Sequence, residues 1–308
     1  MNINFFEPLS KAISRMTISL FKPFDMSKWF VFGFTAFLAG LLESPGGNYS
    51  NAFNHDDYSR SDFWNGPLNA WEWLNDNPFW FIMIGIGVLI IIAIIIALVW
   101  LSSRGAFMFL ANVVTDETEV SRPWYQYKKE GNSVFIWRLV FGLITTIIIS
   151  VFVVFALIIV FSLSAGDFTA LATISSIILL GIPFLIVIVI FSYISMFMNN
   201  FVIPIMYKER ISAVHAWGRF MYLFKKNAGS FILYGLLLLC LNIAVGISIM
   251  MIGLFTCCIG FIFLIIPYIS TIVLLPVIYT YRVFSLEFLE QFGNEYKLLA
   301  EKETNEKL

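Results

Sequence analysis

PFWFIMIGIGVLIIIAIIIALVWLSSR, running from Pro78 to Arg104, is the stretch that decides the fold. No charge interrupts the chain between Asp76 and Arg104, a gap of 27 residues. About 20 apolar residues in a helix rising 1.5 Å per residue match the ~30 Å of a bilayer's hydrocarbon. Ile, Leu, Val and aromatic residues occupy every face of the run, so it is not the one-sided helix of a soluble core.

The rest of the chain agrees. Its 308 residues are 59% hydrophobic and 13% charged, with a mean hydropathy of +0.85, whereas a soluble domain is about a quarter charged. A net charge of −1 supplies neither the basic excess of a nucleic-acid binder nor an acidic excess for cation buffering. Other charge-free runs extend from Arg138 to Asp167 (28 residues), from Asp167 to Lys208 (40) and from Asn227 to Tyr281 (55). The last is long enough for two spans, with a turn at Gly253, Thr256-Cys257-Cys258 and Gly260. Trp29 to Leu42 is shorter, 14 residues, and crosses only with Met26 and Ser27 added and the bilayer thinned.

These runs predict an all-α integral membrane protein with six transmembrane helices, at 27–43, 78–101, 137–163, 170–198, 229–253 and 259–283. An N-terminal interfacial helix occupies 1–26, the six-span domain 27–283 and a cytoplasmic tail 284–308. The first span reads as a retained helix, because no A-x-A-like cleavage site precedes the acidic loop after it. Lys and Arg near span ends are held on the cytoplasmic side. With six spans, eighteen of the 19 basic residues face one side and Arg60 alone the other. Both termini are therefore expected in the cytoplasm, and the protein in the inner (plasma) membrane.

Between the spans the sequence is patterned. Phe5, Phe6, Leu9, Ile13, Met16 and Leu20 recur at three- and four-residue spacing, an amphipathic helix suited to the headgroup plane, and Pro23 ends it. Tyr127-Lys128-Lys129-Glu130-Gly131-Asn132-Ser133 and Phe224-Lys225-Lys226-Asn227-Ala228-Gly229-Ser230 both lead into apolar runs, with Trp124 and Trp217 upstream. An interfacial helix followed by two spans, used three times, is the unit they suggest. The outer loop over 44–77 is acidic and aromatic, and Trp64, Trp71 and Trp73 are expected to anchor it at the outer interface.

Chemistry is sparse. Cys240 lies within a span, Cys257 and Cys258 are adjacent, and no Cys or His spacing suggests a metal. The two histidines, His55 and His215, fall on opposite sides of the predicted membrane. No nucleophile–base set or phosphate loop is present, so no cofactor, metal or enzymatic activity is expected. The spans lack the ionisable groups that proton- or ion-coupled relays use. Pro183, Pro267 and Pro276, with Asn242, are the residues that could line a path through broken helices. Arg104, Asn112, Asn199 and Asn200, if gathered at the cytoplasmic mouth, are the minimum for a membrane-embedded enzyme.

Pro204-Ile205-Met206-Tyr207-Lys208-Glu209-Arg210 continues through the Ala213–Trp217 segment to Lys225-Lys226-Asn227. A span ending in Pro, a charged turn, an Ala-rich helix and Lys-x-Asn resemble the membrane domain of glycerophosphodiester phosphodiesterases and related bacterial six-span proteins of unknown function. Phe21-Lys22-Pro23-Phe24-Asp25, Ser103-Arg104-Gly105-Ala106-Phe107-Met108-Phe109 and Glu130-Gly131-Asn132-Ser133 resemble one uncharacterised branch of that group. The catalytic domain of the phosphodiesterases has no counterpart, so the resemblance implies no activity. The expected function is a non-enzymatic module that organises lipid or a partner protein, another membrane protein or a second copy. Lys22, Arg122, Lys128, Lys129, Lys225 and Lys226 would contact headgroups. A permease for a neutral or amphipathic solute is the alternative.

Overall fold

A computed structural model describes residues 3–41, 72–164, 170–256 and 264–299. Every regular element among the described residues is helical. In chain order these are α1 (Phe6–Phe21), α2 (Met26–Ala39), α3 (Pro78–Thr115), α4 (Ser121–Gln126), α5 (Lys128–Ser164) and α6 (Ala170–Phe197). A π-helical turn, Met198–Val202, leads into α7 (Ile203–Glu209), followed by α8 (Ala213–Phe255), α9 (Pro267–Val273) and α10 (Leu275–Glu290).

Four segments are long and apolar enough to cross a membrane: Pro78–Thr115, Lys128–Val160, Ile178–Glu209 and Ala213–Phe255. The α9–α10 pair makes a fifth if its two halves, bent by 65° at Leu274, count as one span. Pro267 and Pro276 sit in the first turns of the two halves, where their missing N–H groups cost nothing. The span predicted at 27–43 corresponds to α2, an apolar helix of 14 residues and ~21 Å, shorter than the four above.

Burial is distributed unevenly along these helices. In α3, all residues from Ser102 to Val113 are buried, whereas Phe79 to Leu98 are largely exposed. The same division recurs in α5, buried at Val134 and mostly exposed from Ile136 to Val160, and in α6, mostly exposed from Ile178 to Ile190 and largely buried from Phe197 onward. In α8, Ala213 to Leu238 contribute to the core and Leu239 to Phe255 are mostly exposed. The packed core therefore gathers at one end of the long helices, and an apolar belt stands clear of it. Exposed Ile, Leu and Val over this length are stable only in hydrocarbon. The molecule is a multi-pass membrane protein.

Both ends of the described chain join the core end. α1 lies on α10 with Ala12 and Leu20 fully buried, Phe5 stacks on Phe288 at 5.4 Å, and Asn4 and Gln291 exchange two hydrogen bonds. The amphipathic helix is thus present, but its apolar residues divide between α10 and an outward face that keeps Phe6, Ile13 and Phe21. α2 is wedged between α3 and α9. A Cβ at Gly105 would lie 2.6 Å from Leu38 backbone, and one at Gly33 would lie 2.7 Å from Ile272 Cγ1. Its contacts with α3 run from Lys28 at Asp116 to the Ala39 carbonyl at Ser102. The helix therefore accompanies the buried part of α3, not the exposed run. Phe32 and Ala36 serve protein packing, while Phe30 and Phe34 face outward.

Candidate functional site

The segments quoted for their resemblance meet at the core end of the long helices. Arg104 is 7% exposed, with its guanidinium 4.4 Å from the Trp100 ring centre and 4.9 Å from that of Trp124. It donates to Asn132 Oδ1 at 3.1 Å, and Gly131 allows the approach, since a Cβ there would be 3.0 Å from Arg104 Cγ. Glu130 pairs with Arg210 at 3.5 Å. Arg210 also donates to the Gln126 carbonyl and covers the Tyr127 ring at 3.7 Å. Tyr127 in turn is stacked between Phe107 and Tyr207, and burial pushes its phenol well above the ordinary range. Ser133 Oγ accepts from the Ala213 N–H, fixing the start of α8 on the start of α5.

A second node forms on the π turn. Arg138 donates from one nitrogen to Asn199 Oδ1 at 2.7 Å and from the other to Ser102 Oγ at 2.9 Å. Arg282 donates to the Asn199 carbonyl at 2.7 Å. A single π turn inside an α-helix shifts backbone groups out of their regular partners, and here a carbonyl so displaced meets a guanidinium. With Ser102 donating to Ala39, five helices are tied around one residue. A third node is Asp116, in left-handed conformation (φ 58°) at the end of α3. It accepts from Lys28 Nζ at 3.1 Å and from Ser19 Oγ, joining α1 and α2 to α3.

The six cations expected at headgroups, Lys22, Arg122, Lys128, Lys129, Lys225 and Lys226, are all exposed. Arg122 stands 3.9–4.0 Å from Glu117 and Glu119, and Lys226 donates to Tyr222 Oη at 2.6 Å. Trp73 is exposed beside Trp80; Trp64 and Trp71 lie outside the described residues, as do His55, Cys257 and Cys258. Pro183 lies inside α6, and it, Asn242 and Pro267 are exposed on their helices, with Pro276 half-buried. Arg104, Asn112 and Asn199 are all buried at the core end but meet different partners: Asn132, a surface pocket, and the Arg138–Arg282 pair. Arg138 and Arg282 were not singled out by sequence; their signal is that each is the charge nearest a long apolar run.

A family of unknown function, DUF7544, matches residues 4–299. The chain belongs to this family. No curated protein and no solved structure matches the chain. In this DUF7544 protein the matched region begins at Asn4, which bonds Gln291, and ends at Leu299, a buried core residue. It thus coincides with the ends of the packed unit.

Proposed function

We propose that this protein is a non-enzymatic membrane module of the cytoplasmic (inner) membrane that organises lipid or a partner membrane protein. The observation that carries the reading is the apolar belt. The most hydrophobic windows of the four long helices are only 0–11% buried inside the chain, so lipid or the helices of another protein must complete them. Exposed Lys22, Arg122, Lys128, Lys129, Lys225 and Lys226 ring the other end. Each well-placed base draws anionic headgroups with about 1 kcal/mol.

Six crossings with both termini in the cytoplasm fit this arrangement. The N-terminal helices and α10 share one end of α3, so the chain between them passes the bilayer an even number of times. α3, α5, α6 and α8 make four passages; α2 and the bent α9–α10 pair are the apolar helices left for the others. Basic residues at the shared end support a cytoplasmic position for it. The likeness to the six-span proteins is carried by the residues of the Arg104–Asn132 and Glu130–Arg210 contacts.

The test is a quadruple Gln variant of Lys128, Lys129, Lys225 and Lys226, purified in mild detergent, with bound lipid counted by mass spectrometry. Anionic phospholipid should fall several-fold, with unchanged melting. Wild-type lipid and partner content would sink the proposal. One observation favours a second reading, the permease: the 65° break at Leu274 is the kind of helix interruption that exposes backbone to a solute. Solute flux into proteoliposomes that is lost on replacing Pro276 would select it.

A further inference from the structure

A pocket of about 200 Å³ lies where α3 ends, walled by α4 and α7 and lined among others by Asn112, Glu117, Glu119, Arg122, Tyr127 and Tyr207. Two features mark it as more than a surface dent. Asn112 is 1% exposed, and its Nδ2 has no hydrogen-bond partner, although buried amide donors are almost always satisfied in folded proteins. At the rim, Glu117 and Glu119 share one guanidinium, Arg122, whose Nη1 stands 4.0 and 3.9 Å away, the outer limit of an ion pair. Two carboxylates against one loosely held cation leave the rim negative, which repels phosphates and carboxylates and attracts an ammonium. Both faces of the Tyr127 ring are already covered, by Phe107 and by Tyr207 and Arg210, so a flat aromatic guest has no surface to stack on. The volume far exceeds the ~10–15 Å³ that a single water needs, so the pocket has room for a small organic guest.

We propose that this pocket binds a small amine-bearing polar molecule of the amino-alcohol class, whose ammonium is held by Glu117 and Glu119 and whose oxygen accepts from the Asn112 amide once that amide turns to face the pocket. The site lies at the Thr115 end of α3, away from the exposed apolar run, and the proposal is independent of lipid organisation by the lysines. The ammonium is common to free amino alcohols and to an ethanolamine lipid headgroup, whose phosphodiester would have to stay outside the acidic rim.

The test is ethanolamine titrated onto the full chain in phosphatidylglycerol nanodiscs, read by melting temperature and calorimetry, with glycerol and glycerol 3-phosphate as comparisons. Ethanolamine should bind saturably at millimolar concentration and glycerol 3-phosphate should not. The double variant Glu117→Gln, Glu119→Gln and the variant Asn112→Leu should each bind about tenfold more weakly, the loss of one good polar contact. Asn112→Leu should also melt no lower than wild type without ligand, because it removes an unpartnered buried amide. Repeating the titration in discs containing phosphatidylethanolamine separates the sources: competition identifies the headgroup, and an unchanged curve the free amine. The proposal is overturned if ethanolamine gives no saturable signal, if the double Gln variant responds as wild type, or if glycerol 3-phosphate binds better.

Discussion

Single residues at close approaches have the clearest consequences. Gly105 faces Leu38 backbone at a distance no Cβ tolerates, so Gly105→Ala must push α2 away from α3. Overpacking of this kind costs about 1–3 kcal/mol; the melting temperature in detergent should fall, and a matching change at Gly142, where nothing lies within reach, should leave it unchanged. Asn199 presents its side-chain oxygen to Arg138 and its carbonyl to Arg282. Asn199→Leu keeps the carbonyl contact and strands one arginine contact, a loss of about 1–3 kcal/mol. Asn199→Asp should restore the fold's stability in part by keeping an acceptor. Neither effect could be read from sequence, where Asn199 is one of two adjacent asparagines at the end of an apolar run and nothing says which arginine it meets.

At the level of elements, the helices with a periodic or charge-edged signal were legible and those defined by partners were not. The amphipathic spacing of α1 and the starts of α3 and α6 follow from residue pattern alone, whereas α5 and α8 begin at Lys128 and Ala213, ahead of the spans predicted at 137 and 229. The predicted interfacial helix leading into the fifth span ends in Lys225-Lys226-Asn227, and Asn227 is where α8 leaves helical geometry (φ −137°, ψ 36°). In the proposed repeat the corresponding break comes at Tyr127, before Lys128-Lys129, so the two Lys-Lys pairs fall on opposite sides of their breaks. α2 is not decided by its composition, because an aromatic, Ala-rich helix looks alike whether its neighbours are lipid tails or other helices. The same ambiguity affects α1, and it can be tested. Ala12 is fully buried against the core, so Ala12→Glu should free α1 from α10 and make the N-terminal segment protease-sensitive, while the long helices stay protected. A helix held only by headgroups would show no change, since a carboxylate beside Lys11 and Arg15 is tolerated there.

For the whole molecule, the low charge content makes the class plain, and the position of the few charges is the basis of the proposed orientation. What no composition reveals is that the chain packs its core at the charged end and leaves its apolar helices uncovered. Packing of that kind arises from contacts distant in sequence: Arg104 with Asn132, Arg138 with Asn199, Asn4 with Gln291. The account rests on that division. Spin labels at Ile90, Met108 and Lys225, placed one at a time in a chain whose three cysteines are replaced and reconstituted in bilayers, measure it directly through relaxation by oxygen and by a nickel chelate. The label at Ile90 should be strongly oxygen-accessible, that at Met108 shielded from both reagents, and that at Lys225 nickel-accessible. Shielding of Ile90 from both reagents in the isolated protein, with Met108 open to oxygen, would contradict the account by placing the packed core at the membrane's midplane.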